Sequence, residues 1–300
     1  MELDYFVVDV FTESALAGNP LAVVMNTTGL TAERMQAIAR EFNLSETSFV
    51  ERRPGAAERA EGVRVRIFTT QEELPFAGHP TLGTASVLKL VAPETVHSGV
   101  VTLALKVGPV PVRFDGESLF GEMTQRDPEF GAELDRAEVA RLTGLSPEDL
   151  DPRLPPQIVS TGTAFAIVPL CSEEPLARLK VNQQGAFEWL RERGARWFYV
   201  LGPTGEREPA WRARMQFNGG EDPATGSAAG CAIAYLVCRG AVAPGECIAL
   251  SQGVEIGRPN KLYLSARIQS ASAKGQSGRI TDVRVAGSTV LVAKGQLFLP

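Results

Sequence analysis

Two stretches constrain this chain more than any others. They are "PFAGHPTLGTASVLKL", beginning at Pro75, and "EDPATGSAAGCAIAYLV", beginning at Glu221. Each is a loop of small residues that feeds an apolar helix. The first helix is expected from about Pro80. The second is expected from about Ala228 to Arg239, where Gly240 stops it. A helix that is apolar around its circumference has to be enclosed by other structure. The segments around both helices read as strands: "YFVVDVF" at Tyr5, "VRVRIFT" at Val63, "VVTLALKVGPVPVRF" at Val100, "RWFYVLG" at Arg196 and "KLYLSARI" at Lys261. The pattern predicts a sheet wrapped around one central helix, twice over, in an α+β fold. Alternation on most strands predicts mainly antiparallel pairing.

Residues 1 to about 115 read β-β-α-β-β-α-β-β. The helix "LTAERMQAIAREFNL" has Thr31 as its N-cap, with Met35, Ile38, Ala39 and Phe42 at helical spacing. "ETSFVERR" reads as a strand followed by a loop through Pro54. Later, Asp135 with Glu138 has the form of a capping box. "QIVSTGTAFAIVPL" holds two strands broken at Gly162, and "QQGAFEWLRERG" is a helix closed by Gly194. The order of elements repeats between the halves. Superposing the two helix starts places Gly78 on Gly226, His79 on Ser227 and Pro80 on Ala228, which suggests a weak internal duplication.

Bulk properties narrow the function. With 300 residues, 44% hydrophobic and 22% charged, the chain has globular composition and room for about two domains. A net charge of −5 disfavours nucleic acid as a partner, because phosphate binding needs a basic footprint. Small anions stay open, since a helix N-terminus can hold one on an acidic protein. Cys171, Cys231, Cys238 and Cys247 form no C-x-x-C pair. His79 and His97 are the only histidines, so no metal site is expected. Cys231 and Cys238, seven apart on the second helix, are expected to share a face, and all four thiols to be reduced. "MELDYFVVDVF" carries acids where a signal peptide carries lysine or arginine, and the longest apolar run is too short to span a bilayer. A cytoplasmic protein with no membrane partner is expected.

Three segments can carry chemistry. In "NLSETSFV", Glu46 lies among Leu44, Phe49 and Val50; an apolar setting would suit it to acid/base work, and a solvated turn would make it ordinary. In "PFAGHPTLGTAS", Pro80 suits a first helical turn, leaving Gly78 and His79 at a helix mouth where free N–H groups attract an anion. His79 could move a proton, orient a carboxylate, or simply cap or pack. In "EDPATGSAAG", Thr225, Gly226 and Ser227 offer N–H and hydroxyl donors at a second mouth, and Asp222 is either functional or a helix cap. Neither a dinucleotide fingerprint nor a P-loop is present. The loops "TTQEEL" and "QFNGGE" would set pocket size.

Together "DVFTESALAGNPLAVV", "NLSETSFV", "RIFTTQEELPFAGHPTLGTASVL", "EDPATGSAAG" and "QGVEIGRPNKLYL" resemble the PhzF-like family, named for a phenazine-biosynthesis isomerase, over nearly the whole chain. The resemblance implies the diaminopimelate-epimerase fold: two pseudo-symmetric domains, each a mainly antiparallel sheet curled around a central helix, with the active site between them. It implies a first domain of residues 1–117 with 284–300, the last strand returning to it, and a second of 118–283. It implies a homodimer working without cofactor or metal, which isomerises a small carboxylate-bearing substrate by proton transfer. Glu46 matches the acid/base; His79 and Asp222 match active-site positions. Gly78, Gly226 and Ser227 match positions that hold the substrate carboxylate, and Asn19 lies in a further motif near the site. The epimerase relatives use two cysteines as acid and base; here the matched helix mouths carry His79 and Ser227, which argues against two-cysteine racemisation. A member that binds a small molecule or protein without turnover is the alternative.

Overall fold

The computed structural model describes residues 1–217, 219–269 and 278–299, so Asn218 of the "QFNGGE" loop lies outside the described residues. Two compact units divide the chain: Met1–Thr124 with Ala286–Pro300, and Gln125–Val285.

The first unit runs β1 (Glu2–Val10), β2 (Asn19–Val24), α1 (Ala32–Phe42), β3 (Glu46–Glu51), α2 (Gly55–Glu61), β4 (Val63–Thr69), β5 (Glu73–Leu74), α3 (Gly78–Val91), β6 (Val100–Leu105), β7 (Gly108–Phe114) and β8 (Gly121–Thr124). The C-terminal strand, Thr289–Phe298, pairs antiparallel with β1. From there the sheet continues through β2, β3, β4, β6, β7 and β8. Helix α3 touches β1, β2, β3, β6, β7, β8 and the C-terminal strand. Every residue from Gly78 to Leu88 is buried, as an apolar helix enclosed by a curled sheet requires. Each fully buried side chain such as Leu82, Val87 or Leu88 is worth about 1.5–3 kcal/mol relative to exposure. Gly83 lets the sheet come close: a Cβ there would sit 2.7 Å from Leu21 Cδ2 and 2.8 Å from Val10 Cγ2.

Strand alternation sends the other side chains outward to α1. Leu3, Val24, Phe49 and Phe68 pack with Met35, Ile38 and Ala39. Thr31 caps α1 by accepting from the Arg34 amide, and Asn43 closes the helix in the left-handed region.

The second unit runs β9 (Glu129–Glu133), α4 (Arg136–Thr143), β10 (Gln157–Ser160), β11 (Ala164–Pro169), α5 (Gln183–Arg191), β12 (Trp197–Pro203), β13 (Trp211–Arg214), β14 (Gln216–Phe217), β15 (Gly220–Glu221), α6 (Gly226–Cys238), β16 (Ile248–Gln252), β17 (Asn260–Gln269) and β18 (Arg279–Gly287). Pairing runs from β9 through β10, β11, β12, β13 and β16 to β17. Helix α6 packs on β10, β11 and β17, and its residues from Ala228 to Val237 are buried. Helices α4 and α5 cover a separate core, with Val139, Leu142 and Leu190 against Ile158, Val168 and Phe198.

Pairing is mainly antiparallel, as alternation predicts, with parallel pairs at β2 with β3, β4 with β6, β11 with β12 and β13 with β16. Two readings are corrected. The segment after Pro54 is a short helix, α2, rather than loop. Cys231 is buried but Cys238 is exposed, because it falls where α6 leaves the core. Among the described residues no helix is long and apolar enough to cross a membrane.

Candidate active site

In the first unit, sheet register places Glu46. It opens β3, opposite Leu21 on β2 and Thr69 on β4. Phe49, three residues on, points to the α1 side. Glu46 points to the other face, where Oε2 lies 3.4 Å from Nε2 of His79, the second residue of α3. On the other ring nitrogen, Asn19 Nδ2 is 3.2 Å from His79 Nδ1. Asn19 is there because it opens β2, the strand beside β1 and β3.

His79 is buried. Desolvation lowers its pKa to about 3, and a hydrogen bond to the Pro20 backbone opposes this only in part. The ring is therefore neutral near pH 7, and the contact with Glu46 joins a carboxyl group to an uncharged imidazole. It is not an ion pair, although its length would allow one. At the helix start, Ala77 occupies the N-cap and has no polar side chain with which to accept from the first-turn amides of Gly78 and His79.

In the second unit, the turn carrying Asp222 is held from several directions. The Asp222 amide donates to the Met215 carbonyl at 2.9 Å. Thr225 Oγ1 donates to Asp222 Oδ2 at 2.7 Å. Gln252, at the end of β16, donates from Nε2 to the Asp222 carbonyl at 2.8 Å and to Thr225 Oγ1 at 3.0 Å. Its Oε1 accepts from the Thr225 amide at 3.1 Å and from Tyr199 at 3.0 Å. Asn260 donates to the Pro223 carbonyl at 2.8 Å. Gly253 has φ +77°, and a Cβ there would meet the Pro223 carbonyl at 2.6 Å; glycine thus lets the two backbones approach. Next to Asp222, Glu221 is clamped by Arg214 through Nε–Oε1 at 2.9 Å and Nη2–Oε2 at 2.6 Å, both side chains being nearly buried.

Asp222 does not cap α6; Thr225 is the N-cap residue and Gly226 the first helical one. Gln125 donates to the Gly226 carbonyl at 2.8 Å and accepts from Thr161 at 2.6 Å. Ser227, half-buried, follows on the first turn. Cys231 lies deeper, where burial pushes its thiol up to about 11; its Sγ is 3.5 Å from Thr161 Oγ1. A thiol so disfavoured as thiolate is a poor base.

Asn19, Glu46, Gly78 and His79 thus gather at one helix start of the first unit. Asp222, Thr225, Gly226 and Ser227 gather at one helix start of the second. Sequence reasoning missed Gln252, Tyr199 and Gln125. A polar Gln252 ending the apolar strand "IALSQ", ahead of a glycine, was the available signal. Among the described residues no group of three or more His, Cys, Asp or Glu side chains is arranged as a metal site.

Known proteins resemble this chain along its length. The model of the family described as "Phenazine biosynthesis-like protein" matches residues 8–295. An uncharacterized isomerase of Mesorhizobium japonicum is 35% identical, the alignment covering 99% of each chain. The trans-2,3-dihydro-3-hydroxyanthranilate isomerase of Pseudomonas aeruginosa is 34% identical, covering 98% of this chain and 99% of that one. The crystal structure of a Bacillus anthracis phenazine biosynthesis protein of the PhzF family superposes with a TM-score of 0.83 at 26% identity, covering 100% of both chains. A hydroxyproline epimerase of Agrobacterium vitis shares the fold with a TM-score of 0.61 at 12% identity, covering 99% of this chain and 92% of that one. The architecture, an apolar helix enclosed by sheet in each unit, is the fold of that PhzF-family protein and of that epimerase.

Proposed function

The chain belongs to the phenazine biosynthesis-like protein family and is an isomerase, and from that premise we propose that it moves a proton within a small carboxylate-bearing substrate without a bound cofactor, Glu46 carrying the proton. The observation that carries this reading is the 3.4 Å approach of Glu46 Oε2 to His79 Nε2 at the start of α3. A general base must be positioned and partly desolvated. Glu46 is fixed by strand register and its side chain is only 16% exposed.

In this reading the Glu46 carboxylate takes a proton from one carbon of the substrate and returns it to another, so the enzyme ends unchanged. Neutral His79 has a single ring proton, which its bond to the Pro20 carbonyl uses; with Asn19 also at Nδ1, the ring is held with Nε2 facing the Glu46 carboxylate. His79 then stands beside the carboxylate and does not exchange charge with it. In the first unit, the first-turn amides at Gly78 and His79 suit a substrate carboxylate, and in the second unit those at Gly226 and Ser227 suit an anion in the same way, since a helix dipole favours negative charge at its start. In the second unit, Asp222 is assigned an active-site role beside the start of α6.

The substrate class follows the relative's name: a ring bearing carboxylate, amino and hydroxyl groups. The test is to incubate the protein with trans-2,3-dihydro-3-hydroxyanthranilate and related cyclic amino-carboxylates in D2O, after exhaustive chelation, and follow them by NMR. Isomerisation with deuterium at carbon is expected for at least one. Saturable binding across the panel with no exchange at carbon would instead favour a protein that binds without turnover.

A further inference from the structure

Gln252 has a role the proposed reaction leaves unassigned. It is buried, and each of its polar contacts has a forced direction. The Thr225 amide can only donate, and it meets Oε1; the Asp222 carbonyl can only accept, and it meets Nε2. These two contacts settle which way the side-chain amide points. The second Nε2 hydrogen is then aimed at Thr225 Oγ1, which accepts it. A hydroxyl has one hydrogen, and that of Thr225 goes to Asp222 Oδ2. Tyr199 completes the set by donating to Oε1. Burial, with the Asp222 charge, raises the Tyr199 phenol well above its ordinary value, so it remains a donor. Thr225 gives something up for this arrangement. At an N-cap its oxygen would ordinarily accept from a first-turn amide of α6; here the hydroxyl is committed to Asp222 and Gln252.

We propose that Gln252 is a positioning residue: it fixes the direction of the hydrogen in the Thr225–Asp222 bond and so holds Asp222 as a carboxylate in a single orientation. The inference rests on the reading in which Asp222 serves the reaction. A donor that cannot turn away favours the charged form of its acceptor, and a fully satisfied buried network is rigid. Cys231 acts on Tyr199 within this network and both are neutral at pH 7, while Glu221, next to Asp222 in the chain, is held by Arg214.

The experiment reads Asp222 directly. In protein labelled with 13C-carboxyl aspartate and free of substrate, the Asp222 signal, assigned by its loss in Asp222→Asn, is titrated with pH. Gln252→Met and Thr225→Val are each expected to raise its midpoint by about one pH unit, and the double variant to raise it no further. Thr225→Ser should restore the original midpoint, and Tyr199→Phe should move it less. If Gln252→Met does not fold, Gln252→Leu serves: it removes the Nε2 donor without adding a charge beside Asp222, and the same rise is expected. An unchanged midpoint in the Gln252 variant overturns the inference. The acidic limb of kcat/KM is measured alongside and should move with the midpoint. A midpoint that moves while the limb stays fixed leaves Gln252 in its positioning role and instead removes Asp222 from the reaction.

Discussion

Burial keeps His79 uncharged, and the consequence is a stability that depends on acidity. Its folded pKa of about 3 lies below the unfolded value near 6.5. Above pH 6.5 neither state takes the proton and the full stability is present. As pH falls below 6.5 the unfolded chain binds a proton that the folded chain refuses, and stability declines by about 1.4 kcal/mol per unit until about pH 3. Denaturant unfolding at pH 7 and pH 5 should therefore differ by about 2 kcal/mol from this residue alone. His79→Gln should flatten that difference. Glu73, held at about 2 chiefly by its hydrogen bond to Arg66, sheds stability only below its ordinary range near 4.5, so the pH 5–7 window isolates the histidine. Residues such as Glu46, His79 and Asp222 were legible because each sits in a short motif with its own chemistry. Gln252 was not: its partner Asp222 is 30 residues away, and only folding makes them neighbours.

At the scale of elements, the close approach of α3 to its sheet predicts that Gly83→Ala destabilises the first unit. Ala is a better helix former by about 1 kcal/mol, yet an extra methyl less than 3 Å from Leu21 and Val10 should cost about 1–3 kcal/mol. A net loss of about 1 kcal/mol in denaturant unfolding is expected; a gain would mean that the sheet yields more easily than its packing suggests. In the second unit, Glu221→Ala takes the bidentate partner from the buried Arg214, leaving Glu255 at 3.9 Å and the Leu176 carbonyl, and should cost about 3 kcal/mol. Thermal unfolding of Glu221→Ala against the double change with Arg214→Met separates that cost: the double variant should recover most of it. Local signals made many elements readable. Thr31 and Asp135 cap their helices as their sequence positions suggest. Helix α2 escaped because it is only 7 residues long and its N-cap is Pro54, which has no side-chain cap to offer. The parallel pairs escaped because alternation along a strand tells which face is buried, not the direction of the neighbouring strand.

At the scale of the molecule, the same solution occurs in both units: an apolar helix enclosed by strands, opened by Gly78 in one and by Gly226 in the other. A glycine at a helix start with no side-chain cap leaves backbone donors available to shape a binding site. The central claim is that Glu46 carries the proton. The most direct measurement compares the wild-type protein with Glu46→Gln, given the substrate found in the D2O screen, by counting deuterium entering at carbon. The account predicts incorporation by the wild type, a loss of at least about a hundredfold in the variant, and nearly unchanged substrate affinity. Deuterium entering at an undiminished rate in Glu46→Gln would contradict it.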